Sequence, residues 1–159
     1  MIAKRSEIIL ERFVIVDSNC SIVVPKEPIE FNPIVNTDSF PIEIDFRIEK
    51  DVDDEKYRII VFLEINNSAE KQNGYSIVAH GMSFFSFDTN AKIDENDKAQ
   101  LLEISGLSIC ITNLRSFITN LTSYYPWGSF TFHAIDVQAL LKDKKVEEEE
   151  KSKNEQLRV

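Results

Sequence analysis

The stretch KAQLLEISGLSICITNLRSFITNLTSYY, residues 98–125, decides the fold. Its apolar residues recur at alternating intervals of four and three positions, which places them on one face of an α-helix. We therefore predict a helix from Lys98 to Tyr125, with Asp97 as its N-cap. The apolar face comprises Leu107, Ile111, Leu114, Ile118, Leu121 and Tyr125, and is widened by Cys110, Phe117 and Tyr124.

The predicted helix is long for a small domain. It would span about 42 Å at a rise of about 1.5 Å per residue, which is more than the sheet of such a domain covers. We expect the excess length to contact a second subunit. Gly106 lies within the helix, and a glycine there costs about 1 kcal/mol relative to alanine, so the sequence allows a break or a kink near it.

Three segments before the helix have the alternating pattern of antiparallel strands. From Phe40 to Lys50, apolar residues alternate with charged ones, so one face should be buried and the other wet. Between Tyr57 and Asn66, apolar residues occur on both faces, which predicts a central strand covered on both sides. Tyr75 to Phe87 is the third strand, and the polar turns between the three predict a meander.

The segments around this core are less regular. Ile8 to Val24 predicts either a strand pair or one bent strand, and the proline-flanked segment Pro25 to Pro41 predicts a long loop that lies across another surface. Pro126-Trp127-Gly128 should end the long helix, and Asp136 should begin a short amphipathic helix. We assign residues 1–142 to one domain and expect residues 143–159 to form a charged tail that is disordered or marginally helical.

The composition argues against several classes of partner and location. A net charge of −9 over 159 residues would repel nucleic acid and anionic lipid, because both are bound through Lys and Arg. We find no run of about 18 apolar residues that would insert into a membrane. Cys20 and Cys110 match no disulfide or metal-ligand spacing. Reduced thiols and the lack of an export signal predict a cytoplasmic protein.

The sequence offers little for catalysis. The two histidines, His80 and His133, lie within apolar, strand-like segments, and the carboxylates concentrate at turns and on wet strand faces. No phosphate-binding loop, nucleophile elbow or zinc-protease motif occurs. We therefore predict a protein that binds other proteins, with no catalytic residues, no metal and no cofactor. The 11 phenylalanines could fill a core or line a groove, and the sequence does not separate these alternatives.

The order of these elements resembles the SecB protein-export chaperones and the wider SecB-like family over residues 7 to 142. The resemblance lies in colinearity, since no single motif is diagnostic. Its segments are the entry strand ending at Pro25, the long proline-flanked loop, Pro41-Ile42-Glu43-Ile44-Asp45, Tyr57-Arg58-Ile59-Ile60-Val61, Phe84-Phe85-Ser86-Phe87, Leu114-Arg115-Ser116-Phe117-Ile118-Thr119-Asn120-Leu121-Thr122, Phe130-Thr131-Phe132 and Ile135-Asp136-Val137-Gln138-Ala139-Leu140.

The resemblance implies an α+β fold with a four-stranded antiparallel sheet, the long helix on one face and a short C-terminal helix. It also implies a homo-oligomer, either a dimer or a dimer of dimers, whose subunit interface would include Leu107, Ile111, Leu114, Phe117, Ile118 and Leu121. Family members hold unfolded polypeptides in hydrophobic grooves. The matching groove residues are Phe31, Ile34, Val35, Phe40, Val137, Leu140 and Leu141.

The function implied is that of a holdase chaperone for unfolded or partly folded polypeptides, in protein export. Export members dock on the translocase ATPase SecA through acidic positions of the outer sheet, which match the uncharged Asn19, Val23 and Val78. The helix exit also differs, with Tyr125 and Gly128 at positions where members often carry glycine and proline. These departures argue against SecA docking. The alternative is an adaptor of the same fold dedicated to one partner, such as the antitoxin of a toxin-antitoxin system.

Overall fold

A four-stranded antiparallel sheet forms the body of the protein. The computed structural model describes residues 6–24, 39–51, 56–90 and 92–156. The spatial order of the strands is β1-β4-β3-β2, so the predicted meander β2-β3-β4 is extended by β1 at one edge. The predicted α+β class is confirmed. The strands are β1 (Ile8–Val23), β2 (Ile42–Lys50), β3 (Tyr57–Ile65) and β4 (Gly74–Phe87).

One long helix follows the sheet, and it contains an irregular turn near Gly106. It consists of α1 (Glu95–Leu101), a π-helical segment (Leu102–Gly106) and α2 (Leu107–Thr122). The irregularity that the sequence allowed near Gly106 is therefore present as a π segment. Such wide turns often occur where packing or function requires them.

Both predicted ends of the long helix were shifted. The N-cap is Asp94, whose side chain accepts a hydrogen bond from the backbone N–H of Asp97 at 2.8 Å, so the prediction of Asp97 as the cap was wrong. The helix ends at Thr122 and not at Tyr125. The Thr122 hydroxyl accepts a hydrogen bond from the backbone N–H of Phe130 at 2.8 Å, which ties the returning chain to the last turn.

Two glycines bring the long helix close to the sheet. A Cβ atom on Gly106 would lie 2.7 Å from Cδ1 of Ile59 on β3, closer than such atoms pack. A Cβ atom on Gly81 of β4 would lie 3.0 Å from the ring of Phe13 and 3.3 Å from Cδ1 of Leu114. A larger residue at either position would force the neighbouring side chains to shift. Glycine therefore allows the close packing between the two layers.

The strand β1 is one continuous strand with two bulges. Its pairing with β4 shifts register between Leu10 and Arg12 and again between Ile15 and Asp17. Each shift adds one residue to β1, which bends the strand and resets which side chains face the helix. Of the two alternatives for this segment, the bent strand is confirmed and the strand pair is wrong.

The helices cover only one face of the sheet in the described part of the chain. On β3, Ile59, Val61 and Leu63 are fully buried beneath the long helix. Between them, Ile60 and Phe62 point to the opposite face and are half-buried. The prediction that β3 is central was correct, but the described residues do not cover both of its faces. We call the face that carries Ile60 and Phe62 the outer face.

The last helix, α3 (Val137–Gln156), is longer than the sequence indicated. It begins after Asp136, as predicted, because the Asp136 carboxylate accepts hydrogen bonds from the backbone N–H groups of Gln138 and Ala139. The helix then continues through most of the segment for which we expected a disordered or marginally helical tail. Ion pairs along it, such as Lys151 to Glu147 at 3.7 Å, favour helical spacing of this charged sequence.

The long helix also qualifies by length and composition as a membrane span, which corrects the expectation that no such stretch exists. Residues Glu95–Thr122 form 28 helical residues with a mean hydropathy of 1.3 in the most apolar window. The core helix of a soluble protein has the same properties. Here the apolar residues Leu107, Cys110 and Leu114 are buried within the chain itself, and 39% of the apolar window is buried in all.

The helix–sheet distance at Gly106 gives a stability prediction. We expect Gly106→Ala to destabilise the protein by up to about 2 kcal/mol, because overpacking costs typically about 1–3 kcal/mol and the gain in helix propensity returns about 1. Ile59→Val removes the Cδ1 atom that the new methyl group would meet. In urea unfolding, the double variant should therefore be more stable than the sum of the single effects predicts. Simple additivity would show that the two residues are not in contact.

Candidate functional site

One cavity of the described chain lies between β2, the π segment and α3, and we call it the β2 cavity. It has a volume of about 490 Å³. Phe46 and Ile48 of β2 and Leu141 of α3 supply apolar surface, and Glu103 of the π segment also lines it. The remaining lining residues are Arg47, Glu49, Lys144, Lys145 and Glu148. Three of the nine lining residues are therefore apolar, and the other six are charged, with both signs present.

Two smaller cavities follow the same side of α3. One of about 80 Å³ lies between Ile44 and Leu140. The other, of about 110 Å³, lies between Ile111 of α2 and Val137. Val137, Leu140 and Leu141 thus each line one of the three cavities, and all three side chains are half-buried and packed on the core. We call these three cavities together the α3 groove.

Two ion pairs hold α3 in place beside the sheet. The Lys144 ammonium contacts the Asp45 carboxylate of β2 at 2.5 Å and lies 5.9 Å from the centre of the Phe46 ring. The Lys145 ammonium lies 3.6 Å from the Glu103 carboxylate of the π segment. The first turns of α3 are thus held beside the sheet both by apolar contacts with the core and by these two ion pairs.

The environment of Asp45 changes its acidity. Partial burial opposes ionisation of the carboxyl and raises its pKa. Hydrogen bonds from the Lys144 ammonium and from the backbone N–H of Phe46 act in the opposite direction, as do the positive charges of Lys144 and Arg47. Their combined effect is larger, so the pKa of Asp45 is lowered. The carboxylate is therefore charged at neutral pH and available to Lys144.

The structure brings together only part of the predicted groove. Val137, Leu140 and Leu141 each line a cavity beside α3, and their role in client binding stays a prediction. Phe40 was assigned wrongly, because it is buried in the core, with its ring 5.8 Å from that of Phe130. The remaining predicted residues, Phe31, Ile34 and Val35, lie outside the described residues.

Sequence reasoning missed the opposite wall of the groove. Ile44, Phe46 and Ile48 were recognised as the apolar side of a strand, and nothing in the pattern showed that β2 would be an edge strand with α3 beside it. Glu103 was read as part of a regular helix. The sequence did contain one indication that β2 and α3 are neighbours, which is the opposite charge of Asp45 on β2 and Lys144 on α3.

The predicted subunit-interface residues divide into two groups. Leu107, Leu114 and Ile118 are at most 1 % exposed, and Ile111 is 6 % exposed, because they pack against the sheet of the same chain. These four have no appreciable surface left for a second chain, so their assignment to an interface is corrected to the core. Phe117 and Leu121 remain half-buried, and for them a subunit contact stays a prediction.

The reactive side chains do not converge in the described part of the chain. Burial raises the pKa of the Cys110 thiol and also that of Cys20, although the hydrogen bond with Tyr125 partly opposes the shift at Cys20. Both thiols therefore stay protonated at neutral pH and are poor nucleophiles. His80 packs edge-on against Phe62 on the outer face, with ring centres 4.9 Å apart. No cluster of three metal-ligating side chains occurs among the residues described.

The anchor between α3 and β2 gives a pH-dependent prediction. Asp45→Asn keeps an acceptor for the backbone N–H of Phe46 but removes the charge that Lys144 contacts. We expect a loss of about 0.5–1 kcal/mol at pH 7, as is typical of an exposed pair. The pKa of Asp45 is lower in the folded chain than in the unfolded chain. The Asp45 charge therefore stabilises the fold fully at pH values above its ordinary pKa of about 3.9. This stabilisation is lost as the pH falls through the pKa of Asp45 in the folded chain.

Urea unfolding at pH 7 and at pH 2.5 measures this difference. Glu43→Gln is the matched control, because Glu43 lies exposed on the same strand, and its removal changes the net charge equally. A loss of stability that persists undiminished at pH 2.5, or an equal loss for Glu43→Gln, would contradict the role of the Asp45 charge.

Comparison with known proteins identifies the fold. No family model matches the sequence, and no curated protein is significantly similar to it. A solved structure of a SecB-like chaperone from Mycobacterium tuberculosis, in complex with a ChAD peptide from an antitoxin, is similar with a TM-score of 0.56 and 11% identity, covering 82% of this chain and 88% of that one. A Streptococcus agalactiae protein of unknown function has a TM-score of 0.38 and 12% identity, over 80% of this chain and 98% of that one. The chain thus has the fold of a SecB-like chaperone: a four-stranded antiparallel sheet backed by a long helix and followed by a C-terminal helix.

Proposed function

We propose that this protein is a SecB-like holdase chaperone that binds unfolded or partly folded polypeptides in the α3 groove. The observation that carries the proposal is the line of three cavities along α3, each lined by one of the half-buried residues Val137, Leu140 and Leu141. Apolar side chains of a client would fill these cavities. The fold that the chain shares with a chaperone of known structure supports the same reading.

The binding energy would come from apolar burial. Each Å² of apolar client surface removed from water contributes about 25 cal/mol, and neither a nucleotide nor a cofactor is required. The rim of the β2 cavity carries Arg47, Lys144 and Lys145 as well as Glu49, Glu103 and Glu148. With both signs of charge around the cavity, the rim discriminates weakly between clients, which suits a protein that holds many different chains.

A dedicated adaptor is the second candidate. The chaperone of similar fold was solved with a peptide from an antitoxin, and a groove of this kind could equally serve one partner in this chain. The lack of charge at Asn19, Val23 and Val78 supports this alternative over protein export, since these positions match the acidic SecA contacts of export members. Asn19 and Val78 are paired across β1 and β4 on the outer face.

The assembly also belongs to the proposal. We infer a homo-oligomer, a dimer or a dimer of dimers, in the cytoplasm, and β1 is the element best suited to a subunit contact. It forms an edge of the sheet, and several large apolar side chains on it are exposed. The exposed fraction is 57 % for Val16, 37 % for Leu10 and 37 % for Ile22. Pairing of two β1 edges would cover them.

The holdase proposal predicts a loss of client binding when the groove is made polar. Leu141→Glu should weaken binding of an unfolded client about tenfold or more, because burial of one leucine contributes about 1.5–3 kcal/mol. Val146→Glu is the matched control, since Val146 lies on the same helix with 55 % of its surface exposed. The measurements are suppression of aggregation at stoichiometric amounts and fluorescence titration of a reduced, unfolded protein.

The results separate the candidates. Wild-type protein that suppresses aggregation of several unrelated clients, with Leu141→Glu impaired and Val146→Glu normal, supports the holdase. Wild-type protein that suppresses none of them but binds one partner tightly supports the adaptor. Equal activity of the two variants would place the binding surface elsewhere.

A further inference from the structure

The cavity of about 110 Å³ beside α2 differs from the rest of the α3 groove in its charge. We call it the α2 cavity. The other two cavities of the groove are lined by charged residues of both signs. Among the described residues, the α2 cavity is lined by no carboxylate, and its polar residues are Ser108, Thr112, Arg115 and His133. The remaining lining residues are apolar, so the α2 cavity combines a basic group with apolar walls.

The hydroxyl groups in the α2 cavity have already used their protons. Ser108, Thr112 and Arg115 are spaced by four and three residues on α2, which places them on one face of the helix. The Ser108 hydroxyl donates to the carbonyl oxygen of Ile104 at 2.6 Å, and the Thr112 hydroxyl donates to that of Ser108 at 2.8 Å. The two hydroxyl oxygens therefore offer only lone pairs. Arg115 and His133 supply the donors.

The segment between α2 and α3 brings His133 to this site. Burial alternates along it, since Phe132 is buried whereas Thr131 and His133 are exposed. Such alternation is typical of an extended segment with one face on the core. The hydroxyl of Thr131 lies 2.8 Å from that of Thr119, which holds the segment beside α2. His133 and the polar face of α2 thus line the same cavity.

Arg115 is a cation without a partner in the described part of the chain. Its Nε atom is buried and has no hydrogen-bond partner there. Lys144 and Lys145 each form an ion pair, but Arg115 forms none with any residue that the structure describes. Asp136, adjacent in sequence to the cavity, is engaged as the cap of α3. A buried donor without an acceptor costs stability, and a bound acceptor would remove that cost.

We propose that the α2 cavity binds a carboxylate group of a polypeptide client, held by the Arg115 guanidinium. The inference rests on the proposed function, because it assigns a ligand to one part of the α3 groove. A guanidinium holds a planar carboxylate through two parallel N–H donors. His133 adds a further N–H donor, and the free lone pairs of Ser108 and Thr112 accept backbone N–H groups of the client.

A carboxylate suits this cavity better than a phosphate does. A volume of about 110 Å³ has room for a few groups the size of a water molecule, at about 30 Å³ each. Arg115 is the only Lys or Arg among the described residues that line the cavity. The net charge of −9 repels a phosphate, with a charge of about −1.5 to −2, more strongly than a singly charged carboxylate.

The same net charge makes the proposal easy to distinguish from general electrostatics. A protein with a charge of −9 repels acidic peptides unless a specific cation receives them. A preference for an acidic peptide over its neutral equivalent therefore reports a local site. The carboxylate can belong to an Asp or Glu side chain or to the C-terminus of a client, and the chemistry at Arg115 is the same.

Three fluorescent peptides of one short apolar sequence test the proposal. The first has a central glutamate and an amidated C-terminus, the second has glutamine in its place, and the third has the glutamine and a free C-terminal carboxylate. By fluorescence anisotropy, the wild type should bind the glutamate peptide about tenfold more tightly than the glutamine peptide, as expected of a hydrogen-bonded charge pair. The same preference for the third peptide alone would support the proposal and assign the carboxylate to the C-terminus.

Variants of Arg115 connect this preference to the guanidinium. Arg115→Met should bind all three peptides with similar affinity, and its melting temperature should not fall, because no partner in the described chain is lost. Arg115→Lys keeps the charge without the two parallel donors, so it should show a smaller preference. Arg12→Met is the matched control, since Arg12 lies exposed on β1 and its removal changes the net charge equally. It should retain the full preference.

The outcomes distinguish this inference from the holdase proposal. Equal binding of the three peptides by the wild type would overturn the carboxylate site and leave the holdase proposal standing. A preference that persists in Arg115→Met would overturn the site as well. So would a lower mass of Arg115→Met in sedimentation equilibrium, because a second copy would then supply the acceptor. If the wild type binds none of the peptides, both proposals fail.

Discussion

The close contact between the long helix and the sheet is the constraint on which the rest of the structure depends. Gly106 lets the helix approach Ile59, and Gly81 lets Leu114 approach β4. Because the π segment ends at Gly106, this approach also fixes where Glu103 lies. Lys145 of α3 lies 3.6 Å from Glu103, so the last helix contacts the long helix at this segment.

This packing gives the two sides of the protein different properties. On the helix side, the described residues form a buried core, and cavities lie where α3 meets β2 and where it meets α2. On the outer side, Ile60, Phe62 and Met82 are partly exposed.

Much of the fold could be predicted because its signals are local. Alternation identified β2, and the spacing of three and four identified the helix that contains Leu107 and Leu114. Asp136 was recognised as a cap because capping involves only neighbouring residues. The ends of the long helix were misplaced, since Thr122 is held by Phe130, a contact that arises only after the chain has turned back.

The candidate site depends on contacts between distant elements, and so its prediction was partial. The sequence singled out the residues on α3 as candidates but not Phe46 and Ile48, because strand order decides which strand lies next to α3. Phe40 follows the long loop in sequence, yet its ring contributes to the core beside Phe130. Hydrophobicity identifies side chains that need burial and does not specify whether the chain itself or a client will bury them.

The central claim, that polypeptide clients bind in the α3 groove, is tested most directly by site-specific photo-crosslinking. A photoreactive phenylalanine analogue is placed at Leu141, within the groove, and separately at Tyr124, which is 91 % exposed and lies outside it. An unfolded client is then added, and the crosslinked products are resolved by gel and by mass spectrometry. We predict a strong crosslink from position 141 and little or none from position 124. Equal crosslinking from both positions, or none from 141, would contradict the assignment of the groove.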